Sequence, residues 1–242
     1  MPPKELLIMA VTRMKAGVCT AGFLNEPHPD SHLRWVRPVK SFRALLLEDL
    51  RDSTGRIIEM GDIVTFNLLH PDPEPVHCED WRTDFIRPPV RLLRQLTAQK
   101  RADFLATHTD KNPATILQQH RRSLCLLQPQ AIWAEFTCDA YSGEYQARMG
   151  FRFDEHAYPI DTPQRGMVVT DLKWRAWGRH WLMQEKRERL CLEHTTLHQR
   201  LAADVIYLSI GLSRTFEGKL WPLVIGVHPV PDYTVTIDYS NL

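Results

Sequence analysis

Leu6-Leu7-Ile8-Met9-Ala10-Val11-Thr12, Val18-Cys19-Thr20-Ala21-Gly22-Phe23-Leu24 and Leu33-Arg34-Trp35-Val36-Arg37-Pro38-Val39 follow one another at the start of the chain. Each is a short run rich in β-branched and apolar residues, bounded by turn chemistry. Lys15-Ala16-Gly17 suits a tight hairpin, and residues 25–31, with two prolines, suit a longer loop. Residues 62–69 alternate Ile63, Thr65 and Asn67 against Val64, Phe66 and Leu68, the period of a half-buried strand. Short strands at close spacing predict a small barrel or sandwich rather than an α/β layer fold.

Further along, the leucine spacing after Pro88-Pro89 predicts a helix over residues 90–107, and residues 42–50 predict a short one. The composition shift at Gln128-Pro129-Gln130 marks a domain boundary. Strands are then expected at 132–138, 145–153, 167–172, 205–212 and 221–228, with a connection at 161–166. One or two helices are expected over 174–201, where Gly178 is a candidate interruption. In the strand at 145–153, Tyr145, Ala147, Met149, Phe151 and Phe153 share one face, and Gln146, Arg148 and Arg152 the other. The fold class is mainly β with inserted helices (α+β), and β-then-helix occurring twice hints at two similar barrels.

The composition bounds the function. The 242 residues carry 30 Lys+Arg against 29 Asp+Glu, a net charge of +1, which excludes a globally cationic coat but not a local basic face. The five cysteines are scattered with no CxxC, which argues against a disulfide framework or zinc ribbon and for a reducing, cytoplasmic setting. No apolar run reaches the roughly 20 residues of a membrane helix. Phosphate-loop, dinucleotide and nucleophile-elbow glycine motifs are absent.

Four clusters could carry chemistry. Arg34-Trp35-Val36-Arg37, with Arg13 and Lys15 in the preceding hairpin, has the arginine–aromatic interleaving that stacks bases and neutralises phosphates. A tryptophan buried under arginine stems would give the same pattern. His77, Glu79 and Asp80 could hold a divalent metal for a nuclease or phosphoesterase, or could satisfy backbone groups at a barrel corner. Trp174, Trp177 and Trp181 fall on one helical face beside Lys173, Arg175 and Arg179, a pattern of a core stripe, a nucleic-acid platform or a protein-docking face. His194 and His198 stand at i, i+4, but a pair supplies only two metal ligands and HExxH is absent, so no metal site is assigned. Arg214, after the strand at 205–212, is a further phosphate candidate, as are Arg87, Arg91, Arg94, Lys100 and Arg101 in an acid-free stretch.

In order, Thr12-Arg13, Val18-Cys19, Trp35-Val36-Arg37-Pro38, His77-x-Glu79-Asp80-Trp81, Ser123-Leu124-x-Leu126, Thr170-Asp171-Leu172-Lys173-Trp174 and residues 208–214 followed by 224–228 resemble the dual OB-containing domain (DuOB) family of prokaryotic conflict and defence systems. The resemblance implies two OB-like barrels with helical insertions, over residues 4–128 and 129–232, and a tail at 233–242. It implies nucleic-acid binding; the absence of a complete catalytic constellation in the sequence leans the reading toward a non-enzymatic role with no cofactor, and a protein partner in a larger assembly is expected. No catalytic residues come with it. The nucleic-acid contacts then expected are Arg13, Lys15, Arg34, Trp35, Arg37, Lys173, Trp174, Arg175, Trp177 and Arg214.

Overall fold

The computed structural model describes residues 3–27, 32–42, 44–158, 166–215 and 217–241; the expected loop at 25–31 and connection at 161–166 lie largely outside them. The chain divides into two compact units, Met1–Arg101 with Asn112–Leu124, and Ala102–Lys111 with Cys125–Leu242.

The first unit holds β1 (Lys4–Met14), β2 (Gly17–Leu24), β3 (Trp35–Val39), β4 (Asp62–Pro71), β5 (Asp80–Asp84) and β6 (Arg91–Gln95). β1 pairs antiparallel with β2, β2 with β3, β5 with β4 and β4 with β1, while β3 and β5 run parallel. The circle 1-2-3-5-4-1 closes a five-stranded barrel, and closure removes the exposed edges an open sheet would leave. Its interior is filled by Leu6, Ile8, Val36, Val64, Phe66 and Leu68, each at most 1% exposed. Gly22 sits where the β1–β2 register shifts, facing Ile8; a Cβ there would run into the Leu7 carbonyl. The helix expected over 90–107 is two elements. Residues 91–95 pair with β4 as β6, and only α1 (Ala98–Thr107), which belongs to the second unit from Ala102 on, is helical, followed by the single turn α2 (Ala114–Leu117). The short helix expected at 42–50 is a 3₁₀ turn, Leu47–Leu50, between β3 and β4, with Leu50 fully buried.

The second unit contains β7 (Leu124–Leu127) from Cys125 on, β8 (Ala131–Cys138), β9 (Tyr145–Phe153), β10 (His156–Tyr158), β11 (Met167–Val168), α3 (Leu172–Glu185), β12 (Arg189–Leu192), α4 (His194–Leu201), β13 (Val205–Leu212) and β14 (Pro222–Val230). β8 pairs with β9 and β9 with β11. Val169, just past β11, bridges in parallel to Val224 of β14, β14 pairs antiparallel with β13, and β13 neighbours β7. With β7 and β8 as two halves of one first strand, split at Gln128-Pro129-Gln130, the circular order matches the first unit. The helical insertion again falls between the third and fourth strands of the barrel. α3 starts at an N-cap, Asp171, whose carboxylate accepts from Trp174 N, and ends on Lys186 in the left-handed region. It runs unbroken through Gly178, where Phe136 and Tyr145 pack too closely for any side chain. The expected tail is partly packed: Tyr233 is buried edge-on against Trp174 and Trp177, with ring centres 6.1 Å from each. Among the described residues no helix is long and apolar enough to cross a membrane.

Candidate nucleic-acid interface

In the first unit, the expected binding residues separate into buried and exposed groups. Trp35 is 3% exposed and packs on Phe23 with ring centres 4.3 Å apart, so its faces are taken by protein. Arg37 is buried too, its Nε and Nη2 both 2.6 Å from Asp80 Oδ1. Burial works against its charge, yet Asp80 at that distance holds its pKa above the ordinary value. Withdrawing Arg37 to reach a phosphate would strand a buried carboxylate. The expected base-stacking role of Trp35 and phosphate role of Arg37 are therefore corrected to structural ones. Arg13 and Lys15 at the β1–β2 hairpin and Arg34 before β3 are exposed, and Arg34 donates to Asn25 O. Most of β2 and β3 is buried on both faces, so this barrel has no open β2–β3 surface for these cations to border.

The acid–histidine cluster is equally internal. His77, Glu79 and Asp80 are 3%, 1% and 1% exposed. Glu79 accepts from Ser123 N at 3.0 Å, Ser123 Oγ at 2.8 Å and Leu124 N at 3.1 Å, which clamps the β4–β5 connection to the segment at 123–124. Its neighbour Cys78 has its thiol pushed up to about 12, first by burial and then by the Glu79 charge, which favours the protonated thiol at neutral pH. Carboxylates so enclosed present no open coordination position. A serine–histidine pair, Ser209 Oγ and His228 Nε2 at 2.8 Å, is likewise sealed in the β13–β14 wall.

The tryptophan stripe of α3 is core. Trp174 and Trp177 are 0% and 4% exposed and stack at 4.9 Å, correcting the expectation that they stack bases; Trp181 is half-buried under the Arg200 guanidinium. Lys173 pairs with Asp232 at 2.9 Å and caps the Tyr233 ring. Arg175 donates to Val169 O and Tyr145 O, and with Arg179 flanks the Tyr145 ring. Burial raises the Tyr145 pKa well above its usual value, against the pull of both arginines, so the phenol stays neutral and donates to Arg175 O.

What the second barrel leaves partly open is the outer face of β9 and β11 together with the start of β14, whose residues 224–229 are buried on both faces. Met149 and Met167 pair and point inward, so Arg148 and Val168, opposite one another in the register, point outward. Val169 and Val224 are both fully buried at their bridge, which places Leu223 and, two residues earlier, Trp221 on the outward side. Trp221 is 49% exposed. Its backbone is fixed by two bonds closing the β13–β14 loop, Ser213 N to Trp221 O and Trp221 N to Ser213 Oγ, both 2.9 Å. The same loop carries exposed Arg214 and Lys219 and one exposed acid, Glu217. Arg148 is steadied by Gly166 O at 3.0 Å and Gln146 Oε1 at 3.4 Å. Neither Arg148 nor Arg152 pairs with a carboxylate among the described residues.

At one end of this face the β8–β9 hairpin projects Tyr141, fully exposed, on a turn held by Asp139 Oδ1, which accepts from Tyr141 N and Ser142 N. These bonds also hold the Asp139 carboxyl below its ordinary pKa. An open hollow of about 390 Å³ at the hairpin's foot is lined by Asp139, Glu144, Glu188 and Arg189 among others. Three carboxylates against one arginine, itself paired to Glu135 at 2.6 Å, make this hollow acidic and unfavourable to an anion. Of the expected contacts only Arg214 belongs to this face. Arg148 and Arg152 were legible as outward by alternation, whereas Trp221 and Tyr141 carry no local signal.

A face spanning the second and third strands of the barrel and the loops 1–2 and 4–5 is the surface on which OB barrels hold oligonucleotides. Comparison with curated proteins and with solved structures finds no match. The family model for the dual OB-containing domain matches residues 4–227, which takes in both rings of strands. The chain belongs to the dual OB-containing domain family.

Proposed function

We propose that this protein is a non-enzymatic nucleic-acid-binding protein that holds a single strand along the outer face of its second barrel. The observation that carries this is the pairing of Trp221, half exposed on a braced loop, with Arg148 and Arg152, which have no carboxylate partner among the described residues. Trp221 stacks a base, while Arg148, Arg152, Arg214 and Lys219 meet the backbone phosphates. In this reading the first barrel is a scaffold, with exposed Arg13, Lys15 and Arg34 as secondary phosphate contacts.

The test is fluorescence anisotropy with single-stranded and duplex DNA and RNA across a salt series. Tighter binding to single strands with a steep salt dependence is the expected result. Salt-independent binding, or none, would refute the reading.

A role as a recognition or scaffolding subunit of a larger prokaryotic defence or nucleic-acid-processing assembly also needs a protein contact. Two loops of the first unit support one. β3 and β5 run parallel, and the loops following them present Phe42 at 99% and Ile86 at 72% exposure. Arg82 Nη1 donates to Lys40 O at 2.6 Å, tying these loops together. Two large apolar side chains exposed on loops tied to one another suit a protein contact. Phe42→Ser is expected to lose the partner and keep nucleic-acid affinity.

A further inference from the structure

The histidine pair of α4 has no part in the proposed interface, and its geometry has a chemical use of its own. His194 and His198 lie one turn apart with ring centres 4.4 Å from each other, edge to face. His198 Nδ1 is 2.8 Å from Ala203 O. A carbonyl can only accept, so Nδ1 carries the proton and Nε2 is left with its lone pair. This backbone lock on the far nitrogen is the arrangement that orients metal-ligating histidines. His194 Nδ1 is buried without a hydrogen-bond partner among the described residues. Neither Nε2 makes a hydrogen bond among the described residues.

We propose that His194 and His198 form a two-histidine binding site for a divalent transition-metal ion such as Zn²⁺. No third histidine, cysteine or carboxylate joins them among the described residues, so water or a group from a bound partner completes the coordination. Imidazole pairs at this spacing suit zinc, copper or nickel and exclude magnesium and calcium, which take oxygen ligands.

The full chain titrated with ZnCl₂ at pH 7.5 by calorimetry, with the histidine imidazole NMR signals followed in parallel, tests this. The expected result is one Zn²⁺ per chain, with the His194 and His198 ring signals moving first. His194→Ala, which spares the Ala203 contact, and His198→Ala are each expected to weaken binding at least about tenfold. Magnesium should leave both signals unmoved. Zinc uptake unchanged in both variants, which would assign it to the cysteines, or ring signals indifferent to zinc, would overturn the proposal.

Discussion

Replacing Glu79 separates a structural clamp from a catalytic carboxylate. The side chain is 1% exposed and accepts from three donors, Ser123 N, Ser123 Oγ and Leu124 N, on residues that are themselves 0% and 1% exposed. Glu79→Ala strands all three. Each unsatisfied buried donor costs about 1–3 kcal/mol, and neighbouring losses add incompletely, so a total of roughly 3–6 kcal/mol is expected. A domain's whole stability is about 5–15 kcal/mol. Glu79→Gln keeps one acceptor oxygen and turns an amide N–H₂ toward a donor, for an expected loss of about 2–3 kcal/mol. Urea unfolding of the isosteric variant measures this. With m of about 1–3 kcal/mol/M, the midpoint of the first unit's transition should fall by about 1 M or more. A Glu79→Gln protein as stable as wild type that had lost a phosphodiesterase activity would refute the clamp and restore the catalytic reading of His77, Glu79 and Asp80.

Asp171 makes stability depend on pH. Its carboxyl accepts from Trp174 N and Val227 N, but complete burial outweighs those bonds and lifts its pKa from 3.8 to about 7. A raised pKa means the fold favours the protonated form, so this contribution is full below about pH 4 and is lost as pH rises through 7. The stability of wild type relative to Asp171→Asn should fall by up to about 4 kcal/mol between pH 4 and 8, and a pH-independent difference would contradict it. Gly178→Ala should lower the melting temperature of the second unit despite the better helix propensity of alanine, because its methyl would collide with Phe136. Overpacking of this kind costs about 1–3 kcal/mol, measurable by calorimetry. Trp221→Ala should weaken single-strand binding by about 1–3 kcal/mol in an anisotropy titration without changing the melting temperature.

Strands whose pattern is local were legible in the sequence: β1, β2, β4, β8, β9, β13 and β14 all show the expected runs. The elements that went astray are defined by pairing across the chain. Arg91-Leu92-Leu93-Arg94-Gln95 has helical leucine spacing, and only its place beside β4 makes it a strand. Arg189–Leu192 continues a helical composition but is claimed by β8 as β12. The α3 tryptophans were correctly placed on one face, yet periodicity cannot say whether a face meets solvent or core; Phe136 and Tyr233 decide it. Trp221 has the opposite history. Nothing local distinguishes it, and it reaches the open face through the parallel bridge of Val169 to Val224, residues 55 positions apart.

The most direct test is charge reversal on the two barrels, read by anisotropy with a labelled single strand at low salt. Arg148→Glu with Arg152→Glu should abolish binding, while Arg13→Glu with Lys15→Glu, which touches only secondary contacts, should weaken it by about tenfold at most. The opposite pattern, or equal loss from both pairs, would contradict the assignment of the interface to the second barrel.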